Sequence, residues 1–442
     1  MYKNYIKLAL RVLVKKKFFT FITLFGISFT LMVLMILVSF LQTEFGERPP
    51  LSHQEKLVLL GNITLSRQFY DTIAIVDTVL ISGVERFDTT FQYKKKGANF
   101  SSNAFGRKVL KDYFEDLEST QNTTIFNSSS VFDVFINQSK IQVGVNYCDP
   151  NFWDVFDFSF IEGRPFDVSE MEQELPVAVI SARFAKKYFG RQRDVLNQMI
   201  KIDKYQYQVI GLVESPGVST EFLISDVFIP YSQLAMDKDG ESFYFGGFNM
   251  ALLAANSVDQ TKEAITTATS KIPTDKNKKY NELEIVPTTF KEKYAAELYD
   301  KDTPSESLSF MKWVLYGLVS FFIMLPTLNL VNLNISRIMD RSSEIGVRKA
   351  FGASQKDIIS QFVFENIIQT MIGGILGLIL TMIVIHLIND AQILNTVRLT
   401  MDLNFFGYSL IITVIFGILS GLIPAWRISK LQIVNALKAN QL

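Results

Sequence analysis

The chain has 442 residues, 48% of them hydrophobic, with 38 phenylalanines and a formal net charge of +0. That length allows more than one folding unit, and the balanced charge argues against nucleic acid as a partner, because phosphates select basic faces. Cys148 is the one cysteine, so no internal disulfide can staple the fold.

In chain order, residues 1–17 begin "MYKNYIKLALRVLVKK", with Tyr5, Leu8 and Val12 near one helical face and lysines with Arg11 on the other. The pattern predicts an amphipathic helix on the cytoplasmic membrane surface. Residues 18–41 are apolar and uncharged, enough for a transmembrane helix, which needs about 20 residues. The run is too long for a signal-peptide core of about 7–15 residues, and no small-x-small cleavage site follows. A retained anchor is expected.

Residues 42–312 read as mixed α and β. "VLLGNITL" and "VFDVFINQSKIQVGVNY" carry β-branched and aromatic residues in partial alternation and predict strands. "SARFAKKYFG" predicts a helix ending on Gly190, and "MIKIDKYQYQVIGLVE" a hairpin turning at Asp203-Lys204. Ser257-x-x-Gln260 predicts a capping box, and "LEIV" a later strand. The polar run "STQNTTIFNSSS" suggests a boundary near 120–130 and a second falls near 245–250, allowing an inserted subdomain over about 126–248.

Three more apolar runs follow, at 313–335, 367–388 and 405–426. The 336–366 loop and the 427–442 tail are basic, as is the segment before the first span, whereas the 389–404 loop has only Arg398 beside Asp390 and Asp402. The positive-inside bias puts both termini and the 336–366 loop in the cytoplasm and 42–312 outside. The expected fold is a membrane protein with four transmembrane helices and a large α+β extracytoplasmic domain between the first and second.

Enzymatic signatures are lacking. There is no Gly-x-x-x-x-Gly-Lys-Ser/Thr phosphate loop and no Gly-x-Ser-x-Gly elbow, and His53 and His386 have no companions at metal-ligand spacing. Cys148 in "NYCDP" reads as a buried small residue. No catalytic, cofactor-binding or metal-binding residue is assigned.

The 336–366 loop is more informative. "SSEIGVRKAFGAS" predicts two short helices broken by a left-handed Gly352, the second capped by Ser354-x-x-Asp357. Ile345 and Phe351 offer apolar anchors, and Glu344, Arg348 and Lys349 offer charged contacts. A solvated basic loop needs none of this, so a docking site is favoured. In the spans, Gly373-x-x-x-Gly377 and Gly417-x-x-x-Gly421 permit close helix approach, within the subunit or between subunits. Pro326 removes a backbone bond in the second span. Asn329, Asn332 and Asn334 follow it as a polar seam.

These residues carry a resemblance. "SSEIGVRKAFGASQKDIISQFVFEN" is similar to the signature of the MacB/FtsX/LolC superfamily of type VII ABC transporter permeases, and "PAWRISKLQIVNALK" to its ending. "YCDPNFWDVFDFSFIEGRPF", "PVAVISARFAKKYFG" and "IKIDKYQYQVIGLVE" resemble its MacB-like periplasmic core domain. The resemblance implies a non-catalytic, multi-pass subunit of the bacterial inner membrane. It implies a cytoplasmic ABC ATPase dimer as partner, binding ATP and Mg and supplied in trans because about 17 residues precede the first span. A second permease copy or paralogue would complete the pair, with or without a periplasmic adaptor, lipoprotein or outer-membrane channel. Glu344, Ile345, Gly346, Arg348, Lys349, Phe351 and Gly352 then correspond to the element that couples to the ATPase. ATP-driven movement would pass to the periplasm for export or extraction of a peptide, lipoprotein or other amphiphile. The alternative is an FtsX-like regulator that activates a periplasmic cell-wall hydrolase and moves no substrate.

Overall fold

The computed structural model describes residues 17–340, apart from 82–83, 128–129, 137–138, 218–219, 221, 235–242, 275–281 and 300–302. It also describes 347, 351–352, 354–391 and scattered positions from 393 to 418, with the backbone alone at 19, 67–81, 84–99, 136, 139, 323, 326–340, 355 and 358. Two compact units result: Phe45–Leu308, and Met1–Glu44 with Ser309–Leu442.

The first unit is built on one 12-stranded sheet. Its strands are β1 (Leu57–Ile81), β2 (Val84–Ser102), β3 (Thr120–Asn127), β4 (Ser130–Ile136), β5 (Ser139–Cys148), β6 (Phe160–Gly163), β7 (Val177–Ser181), β8 (Met199–Ile202), β9 (Tyr205–Val213), β10 (Val227–Pro230), β11 (Phe248–Ala254) and β12 (Glu282–Thr289). The order is β12-β1-β11-β3-β5-β10-β7-β9-β6, with β2 on β1, β4 on β5 and β8 on β9. The polar run read as a boundary is thus β3, a strand in mid-sheet. It stands there because β-branched threonines suit a strand and their hydroxyls are satisfied: Thr123 donates to Glu115 O and Thr124 to Asp149. Strands from inside 126–248 occupy one contiguous half of the sheet and the flanking strands the other.

Both faces of the central strands are covered. Val58, Leu60, Ala178, Ile180, Val227 and Ile229 enter one apolar cluster. Their alternating neighbours Leu57, Leu59, Val177, Val179 and Phe228 enter another. Strands buried on both faces read as apolar runs rather than clean alternation, which is why "VLLGNITL" alternates only in part. The second cluster is aromatic. Phe126 meets Phe152, Phe156 and Phe222 with ring centroids 4.7–5.9 Å apart.

Helices α2 (Arg107–Phe114), α3 (Phe152–Val155), α4 (Val168–Glu172), α5 (Ala182–Phe189), α6 (Val258–Ser270) and α7 (Phe290–Leu298) connect the strands. Helix α5 ends on Gly190 at φ +72°, and the β8–β9 hairpin turns through Asp203 at φ +50°, both at the predicted positions. Ser257 is the N-cap of α6 but makes no side-chain cap bond. Its carbonyl accepts instead from Thr261, through N and Oγ1. A full capping box occurs at α7, between Thr289 and Glu292. There burial pushes the Glu292 carboxyl up, but Lys262 Nζ at 2.5 Å and the Thr289 amide outweigh it and hold it below the usual range.

One element was not foreseen. β1 and β2 pair without a break from Ile63↔Ser102 to Ile81↔Val84, whereas the other pairings of β1 end at Ser66↔Glu282. Among the described residues, everything beyond Ser66 is therefore a two-stranded ribbon, about 15 residues per strand and about 50 Å long at about 3.4 Å per residue.

The second unit contains α1 (Lys17–Phe45), most of α8 (Pro304–Asp340) and α9 (Gln355–Asp390). Among the described residues, Thr20–Phe45 and Ile359–Asp390 are long and apolar enough to cross a membrane. The expected span 313–335 lies within α8. Of the expected fourth span only scattered helical positions are described, and the expected surface helix (apart from Lys17) and the 427–442 tail lie outside the described residues.

Candidate coupling element and helix joint

The predicted break in the cytoplasmic loop is present. Phe351 N donates to Val347 O at 3.0 Å, closing a helical turn. Gly352 follows at φ +89°, a backbone setting that a Cβ disfavours. Ser354 and Asp357 then form a reciprocal capping box: Asp357 N donates to Ser354 Oγ at 3.3 Å, while Ser354 N and Oγ donate to Asp357 Oδ2 at 3.1 and 2.6 Å. The box starts α9, which runs unbroken for 36 residues. Phe351, 88% exposed, is held at the open end of this corner. Glu344, Ile345, Gly346, Arg348 and Lys349 lie outside the described residues.

The membrane half of α9 is joined to α1 by the absence of side chains. A Cβ on Gly373 would lie 2.7 Å from Ile27 Cγ2, and one on Gly377 would lie 3.0 Å from Ser28 O and 3.2 Å from Leu31 Cβ. The first small-residue pair therefore packs helices within the subunit. Thr381 Oγ1 donates to Gly377 O at 2.7 Å, and Met35 is buried close by, its Sδ 3.7 Å from that hydroxyl. Gly374, not singled out from sequence, would meet Leu410 Cδ1 at 2.5 Å; the adjacent glycines serve two different neighbours. Gly417 and Gly421 lie outside the described residues, and at Pro326 and Asn332 only the α8 backbone is described. At the far end of α9, Asn389 exchanges two hydrogen bonds with Leu399, and Ser39 of α1 donates to Thr400 O at 2.7 Å.

Sequence reasoning also missed the buried polar set Glu365, Asn366, Gln369 and Thr370 on α9. Their i, i+1, i+4, i+5 spacing in "ENIIQT" was the available signal. Such residues inside a membrane helix face protein rather than lipid. His386 pairs with Asp390 at 3.2 Å, both exposed.

Among the described residues of the external unit the most perturbed carboxyl is Asp149, between β5 and α3. It accepts from Thr124 Oγ1 (2.7 Å), Ile125 N (2.7 Å) and Phe152 N (3.0 Å), and so ties β3 to β5 beside their ladder pair Phe126↔Cys148. Burial pushes it up to about 7, against the pull of those hydrogen bonds. Cys148 is buried, and burial raises its thiol well above the usual range, leaving an inert small residue. Among the described residues no cluster of His, Cys, Asp or Glu is gathered for a metal.

Comparison with known proteins fits this layout. Residues 20–268 match the MacB-like periplasmic core domain, and 316–433 the FtsX-like permease C-terminal domain. The pyoverdine export ATP-binding/permease protein PvdT of Pseudomonas syringae pv. syringae is 26% identical over 293 residues, covering 65% of this chain and 42% of that protein. The macrolide export ATP-binding/permease protein MacB of Salmonella typhi is 23% identical over 341 residues, covering 75% and 49%. The chain thus spans less than half the length of these relatives. Among solved structures, a domain of a permease protein from Porphyromonas gingivalis aligns with TM-score 0.37 and 14% identity, covering 55% of this chain and 92% of that one. The periplasmic region of MacB from Actinobacillus actinomycetemcomitans aligns with TM-score 0.33 and 15% identity, covering 42% and 81%. With an apolar helix ahead of a large mixed sheet domain and a permease domain after it, the chain belongs to the MacB/FtsX family of ABC transporter permeases.

Proposed function

We propose that the chain is the permease subunit of a mechanotransmitting ABC transporter of the bacterial inner membrane, multi-pass with both termini cytoplasmic. A separate cytoplasmic ATPase dimer binds ATP and Mg, and this chain carries the movement to the periplasmic sheet domain. A second copy or a paralogue completes the permease pair. The work done there is export or extraction of an amphiphile, such as a peptide or lipoprotein. The relatives named for pyoverdine and macrolide export add small amphiphilic natural products to that class.

The supporting observation is the corner at Gly352. It holds exposed Phe351 directly before a capped, continuous α9 that is packed through Gly373 and Gly377 onto α1. A force applied at Phe351 therefore enters a rigid element that already touches another membrane helix. The test is Phe351→Asp, alongside Glu344→Lys and Arg348→Glu, in the complex with its ATPase. Membrane insertion stays normal, and permease-stimulated ATP turnover falls at least about tenfold, the equivalent of about 1.4 kcal/mol of lost coupling. Normal co-purification and turnover in all three variants would sink the reading.

A further inference from the structure

The β1–β2 ribbon has no counterpart in the sheet beneath it and no part in the coupling route. A lone two-stranded ribbon is at best marginally stable in water, so one about 15 residues long calls for a covering surface. Its ladder register indicates which surface. At four successive alternate positions the paired residues are Thr72–Tyr93, Ala74–Phe91, Val76–Thr89 and Thr78–Phe87, with no charge among them. Alternate positions share one face of a strand pair, so this is one uncharged face of the ribbon. The opposite set includes Asp71–Lys94 and Asp77–Asp88, the latter a like-charge pair that weakens a ribbon standing alone.

Charge is also divided along the ribbon. The end near the sheet carries Arg67, Lys94, Lys95 and Lys96 against Asp71, and the far end Asp77, Glu85 and Asp88 against Arg86. One end is basic and the other acidic. Such an object complements a copy of itself laid antiparallel. A two-fold axis through the middle of the uncharged stretch, near the Ile75↔Thr90 pair, brings the Tyr70↔Lys95 position of one ribbon onto the Leu80↔Glu85 position of the other. On the stacked face itself this sets Lys95 of one ribbon at the position of Glu85 of the other, twice by symmetry. The arrangement is isologous and closes on itself.

We propose that the ribbon is an interaction arm whose partner is the same arm of a second copy of this chain, the two stacked antiparallel on the Thr72–Thr78 face. The proposal rests on the second-copy reading given above. It commits the pair to being a homodimer, and it requires the arms to lie across the symmetry axis rather than along it.

The test uses full-length chain in mild detergent, co-expressed with two different tags, one copy carrying Thr72→Cys and the other Thr78→Cys. The native thiol is buried and does not compete. A bismaleimide spanning about 10 Å, the spacing of stacked sheets, should link Thr72→Cys to Thr78→Cys at least about fivefold more than Thr72→Cys to itself, because like positions would stand about 20 Å apart along the ribbon. Lys95→Glu should lower that yield, and Lys95→Glu with Glu85→Lys in the same chain should restore it. Light scattering on the same samples separates the two ideas. A dimer that links only like positions, or links none, overturns the arm and leaves the second-copy reading standing. A monomer overturns both.

Discussion

Two joints in this molecule achieve close approach by opposite means. In the external unit β3 meets β5 through an added group, the Asp149 carboxylate, which gathers Thr124 Oγ1, Ile125 N and Phe152 N. In the membrane unit α9 meets α1 through missing groups, the absent Cβ atoms of Gly373 and Gly377 over Ile27, Ser28 and Leu31. The contrast follows from the solvent. Where water surrounds the fold, a buried backbone amide without a partner is costly, so a polar atom placed among donors stabilises the joint. In lipid the helices have already satisfied their own backbones, and contact area is what remains to be gained. Gly317 on α8 is the internal control: a Cβ there meets nothing within 4 Å.

The comparison can be broken in four ways. The largest expected effect is Asp149→Ala, which takes the side-chain acceptor from the Thr124 hydroxyl and the Ile125 amide and leaves the Phe152 amide only the carbonyl of residue 149. A loss of about 3 kcal/mol is expected at a penalty of about 1–3 kcal/mol per buried group, measured as lost hydrogen-exchange protection at Ile125 and Phe152. Next, Gly373→Leu should cost about 2 kcal/mol through overpacking against Ile27, read as a lower melting temperature of the purified chain in detergent. Ile27→Ala should recover part of that loss, and strictly additive losses would show that the two helices do not meet there.

Third, the Asp149 joint should respond to pH. Its folded value of about 7 lies above the ordinary 3.8, so between those values the folded state holds more protons than the unfolded one. The stability contributed is full below about pH 4 and is lost as pH rises through 7. Protection around Ile125, corrected for intrinsic exchange rates, should therefore be lower at pH 8 than at pH 5.5. The difference should shrink in Asp149→Asn, while the α1–α9 joint should show no such trend. The smallest effect is Gly317→Leu, expected within about 0.5 kcal/mol of the unsubstituted protein. A loss as large as that of Gly373→Leu would mean that α8 is also clasped at that point.

What the sequence disclosed follows the same division. Features set by neighbours in the chain were legible: the left-handed Gly190 and Gly352, the turn at Asp203, the Ser354–Asp357 cap and the apolar length of the first and third expected spans. Features set by distant partners were not. "TQNTTIFN" reads as a domain boundary until Asp149, more than twenty residues away, satisfies Thr124. Ser257 has the spacing of a capping box, yet its side chain makes no cap bond. The ribbon was missed because its alternation is irregular and the Lys94–Lys96 run resembles a solvated loop. The Gly373 spacing was visible, but only the placement of Ile27 decided between contact inside the subunit and contact between subunits.

The position of that contact along α9 has a mechanical consequence. The helix is about 54 Å long at about 1.5 Å per residue, and Gly373 stands close to its midpoint. A stiff rod pinned at mid-length is a lever with equal arms, so a sideways push at the Phe351 end returns at the Asp390 end with similar amplitude and opposite sense. In the proposed permease pair, squeezing two such levers together at the Phe351 end would spread them at the other, with no change in the length or fold of either helix.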